Sequence, residues 1–331
     1  VFELVFLGTA ASAPSIKRGL PAQVILHENA RFLIDCGEGT QRQILRSGLG
    51  FRRLNHILLT HGHLDHILGL GGLISTLARW EVMDQITIMG SRWTLERAAD
   101  LLFRVVLRGA RPPMPIELVD VRPGVIWEDE SLEVIAFPVV HRGPGCLGYL
   151  FRERSRRPFL AERAAALGVP FGPERRELVQ GKSLTLPDGR IITPDDVLGP
   201  ERPGLAIAVL GDVAQTQDLV TSVRGADVLV CEATYLARDE ELARRHGHLT
   251  VREAASLAQE AQVKRLLLTH VSPRYRLAEL LDEARAVFPE SYVAHDFEHY
   301  LITRENLTIT QSETTEEVEE SDSGPTISVV D

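Results

Sequence analysis

Three imidazoles and one carboxylate fall within six consecutive residues, in the stretch Thr60-His61-Gly62-His63-Leu64-Asp65-His66. It follows an apolar run at 56–59 that reads as a strand, and a glycine-rich turn at Gly69, Gly71 and Gly72 closes it. Incidental grouping at this density is improbable. Imidazole is the commonest borderline-soft ligand for zinc, and aspartate supplies an anionic oxygen. From a loop, His61 and His63 can converge on one ion, and Asp65 and His66 can turn towards a second.

Three more candidates stand just beyond other apolar runs. His141 closes a run at 132–140, Asp212 follows 205–210 through Gly211, and His270 follows 265–268 through Thr269. Alone, a histidine at a strand end is usually a capping or surface residue. In α/β architectures, however, such strand ends share one rim, where ligands bind. The seven groups are about what two zinc ions roughly 3.5–4 Å apart require when one carboxylate bridges them. Asp212 is the isolated carboxylate of the set and the natural bridge. His27, His56, His246, His295 and His299 lack such surroundings and read as structural or solvated.

Strands are expected at 2–7, 23–26, 31–34, 56–59, 86–89, 132–140, 205–210, 228–230 and 265–268. Helices are expected at 39–46, 68–79, 94–107, 237–245, 250–261 and 277–287, with Thr250 and Glu253 forming a capping box. This mixed order indicates α/β packing in layers. At 331 residues and 44% hydrophobic content the chain suits one large domain or two small ones. No apolar run approaches the roughly 18 residues of a membrane-spanning helix, so no membrane partner is expected. No secretory signal is visible at the start, which lacks a methionine. Three isolated cysteines, Cys36, Cys146 and Cys231, exclude a disulfide framework and a zinc ribbon and fit a reducing, cytoplasmic setting.

The net charge of −10 argues, as a sum, against a nucleic-acid partner. Its distribution argues otherwise. Residues 312–331 carry seven acids and no base, and read as a disordered, solubilising acidic tail. Residues 152–182 carry eight bases and four acids, a basic island within an acidic protein.

The pattern His-x-His-x-Asp-His after a strand resembles the metallo-β-lactamase superfamily signature. That resemblance implies a four-layer αββα sandwich with the site along one edge, and a hydrolase. Four further stretches resemble the ribonuclease Z family, which trims precursor tRNA at its 3′ end: Phe6-Leu7-Gly8-Thr9, Asp35-Cys36-Gly37-Glu38-Gly39-Thr40-Gln41, Glu232-Ala233-Thr234-Tyr235 with His248 downstream, and Thr269-His270-Val271-Ser272-Pro273-Arg274-Tyr275. The resemblance runs from about residue 2 to 303. Gly168-Val169-Pro170-Phe171-Gly172-Pro173, and the return from Gly181 to Arg190, look like that family's protruding arm, which grips the tRNA elbow. Two departures stand out: Lys182 is displaced relative to the arm's usual Lys-x-Gly, and Val213 stands where threonine commonly follows the bridging aspartate.

The resemblance implies one catalytic domain over 1–311, an arm at about 152–193 and a tail at 312–331. It places His61, His63 and His141 on one zinc, Asp65, His66 and His270 on the other, and Asp212 between them. Manganese or another divalent ion could replace zinc. Asp65 would also accept the nucleophile's proton, and His248, oriented by Glu232, would protonate the leaving 3′ oxygen. The products would be a tRNA with a 3′ hydroxyl and a trailer with a 5′ phosphate. Gly172, Pro173, Arg175 and Arg176 would contact tRNA on the arm. Ser272, Arg274 and Tyr275 would bind a flanking phosphate or stack a terminal base. Asp35 reads as a hydrogen-bonding neighbour rather than a ligand. A homodimer is expected, one subunit's arm presenting substrate to the other's site. The rivals are a small-molecule phosphodiesterase or arylsulfatase of the same fold, which needs no arm, and a non-catalytic RNA- or zinc-binding protein.

Overall fold

The structure is a computed structural model and describes residues 1–80, 83–112 and 114–311. The acidic tail expected at 312–331 lies outside the described residues. One sheet starts with β1 (Phe2–Gly8), β2 (Ala22–His27), β3 (Ala30–Ile34), β4 (His56–Leu58), β5 (Ile86–Gly90) and β6 (Ile116–Asp120). The chain crosses to a second sheet with β7 (Gly124–Glu128), β8 (Leu132–Pro138) and β9 (Leu147–Glu153). After an excursion carrying the hairpin β10 (Leu184–Thr185) and β11 (Ile191–Ile192), it resumes that sheet. The continuation is β12 (Ala206–Val209), β13 (Val228–Glu232), β14 (Leu266–Thr269) and β15 (Ser291–Val293). It then returns to the first sheet as β16 (Glu298–Ile302) and β17 (Leu307–Gln311). The strand orders are β17-β16-β1-β2-β3-β4-β5-β6 and β15-β14-β13-β12-β9-β8-β7.

The layering follows from the two-residue period of the strands. Phe2, Leu4 and Phe6 of β1 join the core between the sheets, while Val5 and Leu7 face the helices of the first half. Ile207, Val209, Val228 and Val230 point into the same central core; Ala208, Leu229 and Cys231 pack under the helices of the second half. With both faces covered, these strands are largely apolar rather than alternating, with Glu3 and Glu232 as exceptions. The outcome is the expected αββα sandwich. Among the described residues no helix is long and apolar enough to cross a membrane.

Several elements differ from expectation. Strands β6 and β7 are half-exposed and mix polar with apolar residues, so no apolar run announces them. The helix expected at 94–107 begins at Arg92 and passes into π-helical turns over Asp100–Val106. Strand β8 ends at Pro138, with one further bond from the Val139 amide to the Cys146 carbonyl at 2.9 Å, so His141 stands in a loop three residues beyond it rather than closing the strand. The basic island also divides differently. Strands β9 and β12 are antiparallel neighbours, Arg152 opposite Ala206, and their pairing continues to a bridge between Arg156 and Arg202. The excursion therefore starts later than residue 152 and runs past 193, through the helix Pro194–Val197 and the bridge Phe159–Leu198. Ala164, Val169, Leu178, Leu186, Ile192, Val197 and Leu198 give it a small core of its own.

Topology explains where chemistry gathers. Strands β3, β4, β5 and β6 run parallel, as do β12, β13, β14 and β15. Their carboxyl ends deliver Asp35, the 60–66 loop, Asp212, Glu232 and His270 to one rim of the sandwich.

Candidate metal centre

The rim brings all seven expected ligands together. His61, His63, His141 and Asp212 offer atoms within 4.8 Å of one another, and so do Asp65, His66 and His270. Asp212 lies between the two groups. Its Oδ2 is 3.6 Å from both His61 Nε2 and His141 Nε2, whereas its Oδ1 is 3.4 Å from His66 Nε2 and 3.3 Å from His270 Nε2. Asp65 Oδ2 is 3.7 Å from both His66 Nε2 and His270 Nε2. His141 Nε2 and His63 Nδ1 are 3.3 Å apart. With zinc–nitrogen bonds of about 2.0–2.1 Å, two ligands of a tetrahedral ion sit about 3.3 Å apart. The spacings are those of ligand shells.

Polar satisfaction gives an independent test. His61 Nε2, His66 Nε2, His270 Nε2 and Asp212 Oδ1 are buried without a hydrogen-bond partner among the described residues. Leaving one such atom unpaired costs about 1–3 kcal/mol. Four convergent orphans, three of them imidazole nitrogens, fit a divalent cation.

The opposite ring nitrogens are all committed. His66 Nδ1 donates to Asp35 Oδ2 at 2.8 Å, and His141 Nδ1 donates to the Gly247 carbonyl at 2.7 Å. The Thr60 hydroxyl donates to Asp35 Oδ2 at 2.7 Å and accepts from His61 Nδ1 at 3.0 Å. Thr234 repeats that device: its hydroxyl donates to Glu232 Oε2 at 2.5 Å and accepts from His270 Nδ1 at 2.9 Å. Each bond fixes a tautomer with its Nε2 lone pair facing the centre. Asp35 and His270 hold positive φ angles of 57° and 55°, a costly conformation that these hydrogen bonds maintain. Gly211, before the shared aspartate, is needed for space, since a Cβ there would lie 2.5 Å from Thr60 Oγ1.

Electrostatics agree with geometry at His61, His63, His141 and Asp212, while the carboxylates around His66 hold it towards its charged form. Burial, reinforced by neighbouring imidazoles, pushes His61, His63 and His141 below the ordinary histidine range, towards the neutral ligand form. Burial would raise Asp212, but His270 and His66 outweigh it and keep its carboxyl well below the usual range. Burial also opposes charge on His66, where Asp212 and Asp35 prevail and raise it.

Beside the ligands, His248 Nδ1 lies 3.0 Å from Glu232 Oε1 and 3.9 Å from Asp212 Oδ2. Burial disfavours its charge; the Glu232 carboxylate overcomes that and raises it to about 9. Glu232 Oε1 also accepts from the Val213 amide at 2.7 Å, so the backbone makes this contact whatever side chain position 213 carries. A pocket of about 150 Å³ opens here, lined by His63, Asp65, His141, Asp212 and His248 together with Ser12, Arg142, Tyr235 and His246. Arg142 was not singled out from sequence; its place directly after a ligand was the available signal.

The remaining expected site residues lie elsewhere or serve other purposes. Ser272 is buried and Arg274 exposed, both just beyond His270. Tyr275 is only 8% exposed, and its hydroxyl donates to Asp239 at 2.6 Å. A ring packed this way lacks the free face a terminal base would stack on, which corrects that expectation. On the arm, Gly172 and Pro173 open the helix Pro173–Val179. Arg175 is spent internally: its guanidinium lies 4.2 Å over the Phe171 ring and donates to the Pro170 carbonyl at 3.0 Å. Arg176 and Lys182 are exposed. Arg152, Arg154 and Arg157 pair with Glu133, Glu128 and Asp195, whereas Arg156 and Arg163 face solvent.

Replacing Thr234 with valine keeps the volume and removes both hydrogen bonds. Metal affinity, measured by competition with a chelator, is expected to fall about 10–100-fold. Unchanged affinity would show that Thr234 does not orient His270.

The chain matches family models described as "Metallo-beta-lactamase superfamily" over residues 21–157 and "Beta-lactamase superfamily domain" over 197–271. The interval between them coincides with the excursion, as an insertion would. It is 48% identical to a ribonuclease Z of Bradyrhizobium diazoefficiens, across 91% of this chain and 100% of the relative. It is 37% identical to a ribonuclease Z of Geobacillus kaustophilus, across 91% and 99%. The crystal structure of the short form of human tRNase Z superposes with a TM-score of 0.63 at 26% identity, covering 91% of this chain and 99% of that one.

Proposed function

Since the chain belongs to the ribonuclease Z family, within the metallo-β-lactamase superfamily, we propose that it is a zinc-dependent endoribonuclease removing the 3′ trailer from precursor tRNA. The observation that carries this reading is the division of the seven ligands about Asp212, one oxygen towards each group. His61, His63 and His141 would hold one ion, Asp65, His66 and His270 the other, with Asp212 shared. Imidazole and carboxylate donors without thiolate suit zinc and also admit manganese. Two divalent ions held there would activate water at neutral pH and neutralise charge on the phosphate. Asp65 accepts the proton of the attacking water as its oxygen bonds to phosphorus. The bond from phosphorus to the 3′ oxygen breaks, and His248, held by Glu232, donates a proton to that oxygen. The tRNA keeps a 3′ hydroxyl, and the trailer leaves with a 5′ phosphate.

The arm is proposed to hold tRNA through its exposed cations, Arg156, Arg163, Arg176 and Lys182, by neutralising phosphates. Arg175 also shapes the arm through Phe171 and the Pro170 carbonyl. A homodimer that offers one subunit's arm to the other's site, in the cytoplasm, belongs to the same reading. Sedimentation of the purified protein tests the dimer.

Deletion of the arm tests the substrate. Because Arg156 and Arg202 already face each other, a two-residue turn can join them. The arm's core is self-contained, so the main cores stay covered. Precursor tRNA cleavage is expected to fall at least about a hundredfold as phosphate contacts are lost. Hydrolysis of bis(p-nitrophenyl) phosphate should persist. Survival of both activities would favour the small-molecule phosphodiesterase.

A further inference from the structure

Trp93 belongs to none of the sequence motifs, yet it touches the metal loop. A Cβ on Gly62, between the ligands His61 and His63, would stand 2.9 Å from Trp93 Cζ3 and 3.2 Å from its Cε3. A Cβ on Gly143, two residues after the ligand His141, would stand 3.7 Å from Trp93 Cη2. The benzo edge of the indole therefore fits against two glycines in two different ligand-bearing loops. Arg97 places its guanidinium 5.3 Å from the ring centroid. The ring is only partly buried. With Ser91, Arg92, Glu96, Pro144 and Gly145 it lines an open pocket of about 400 Å³. Loop 141–145 runs between this pocket and the catalytic one, lending His141 and Arg142 to the latter and Pro144 and Gly145 to the former.

A partly exposed indole, backed by a guanidinium and opening on a pocket next to a phosphodiester-cleaving centre, is a platform for an unstacked base. Single-stranded RNA is bound in this way because every base has a π face. Taking precursor tRNA as the substrate proposed above, we infer that Trp93 stacks the base of the first trailer nucleotide and so holds the trailer beside the metal centre. The choice of strand follows from His248. That residue, assigned to the leaving tRNA oxygen, lines the catalytic pocket with its ring 5.2 Å from that of His141 and 5.3 Å from that of His270, and takes no part in the Trp93 pocket. Trp93 opens on the other side of loop 141–145, leaving the trailer as its partner.

The test pairs the enzyme with the substrate. Metal-loaded wild type, W93A and W93F are assayed on precursor tRNA that is normal, abasic at the first trailer nucleotide, or abasic at the last tRNA nucleotide. W93A is expected to raise KM about tenfold on the normal substrate, with kcat little changed, as the loss of one stacked base requires. W93F should recover most of that loss. On the substrate abasic in the trailer, W93A and wild type should share one KM, and the metal content of W93A should equal that of wild type. A W93A protein depleted of metal would make the indole a buttress of the loop and overturn the inference. A KM increase that persists undiminished on the substrate abasic in the trailer, or coupling found only with the abasic site at the last tRNA nucleotide, would also overturn it. Wild type unable to cleave the precursor removes the substrate reading itself; normal cleavage without coupling removes the stacking role alone.

Discussion

Asp212→Ala is expected to abolish binding at both metal sites together and to lower precursor cleavage by about a thousandfold or more. The reason is its position. Each carboxylate oxygen faces a different ligand group at 3.3–3.6 Å, so one substitution removes an anionic ligand from both. A thousandfold corresponds to ~4 kcal/mol in the barrier, within the several kcal/mol that Lewis-acid stabilisation supplies. Substitution of a ligand in one group should act differently. His63→Ala should weaken one site and leave Asp65, His66 and His270 able to hold the other. Metal content per chain, measured by elemental analysis alongside the cleavage rate, separates the two patterns. If Asp212→Ala retains one full equivalent of metal, the shared role is wrong. If it retains RNA affinity and the parent has no turnover to lose, the chain is a binding protein with a relic site.

The ligands were legible because they are chemically rare and stand directly beyond apolar segments. His61, His63, Asp65 and His66 follow β4, Asp212 follows β12, and His270 follows β14. Parallel strand order brings these points to one rim, and that order was not readable: strand pairing is set by contacts distant in sequence. The supports of the site were less visible for a different reason. Thr60 and Thr234 are ordinary residues, and only their paired roles, donor to a carboxylate and acceptor from an imidazole, set them apart. Asp35 sits beyond β3 with no local sign that its carboxylate would serve both Thr60 and His66. On the arm, composition revealed the charge but not its allocation. Arg175 looked like an RNA contact and is tied to Phe171 and a carbonyl, and three neighbouring arginines are neutralised by acids of the protein itself. The histidines outside the site show the converse. His27 Nε2 lies 3.1 Å from Glu153, and His299 Nδ1 lies 2.7 Å from Glu3, so each ring is tied into a structural pair through one nitrogen.

His248 is where the chemistry can be separated from metal binding. It stands outside the groups His61-His63-His141-Asp212 and Asp65-His66-His270, although it also clusters with Asp212 and His270. It lies beside them with Nδ1 engaged by Glu232, itself fixed by the Val213 amide and the Thr234 hydroxyl. This arrangement suits a proton donor whose ring must be both charged and aimed. His248→Ala should therefore retain metal and a near-normal KM for precursor tRNA while kcat falls about 10²–10⁴-fold, the range for loss of a general acid. The decisive comparison uses the leaving group. The ribose 3′ oxygen departs as a strongly basic alkoxide unless it is protonated, whereas p-nitrophenolate leaves without a proton. With bis(p-nitrophenyl) phosphate the same variant should lose less than about tenfold, since no proton donor is required there. An equal loss on both substrates would mean that His248 acts by holding the centre together. In that case the metal content of the variant should fall as well.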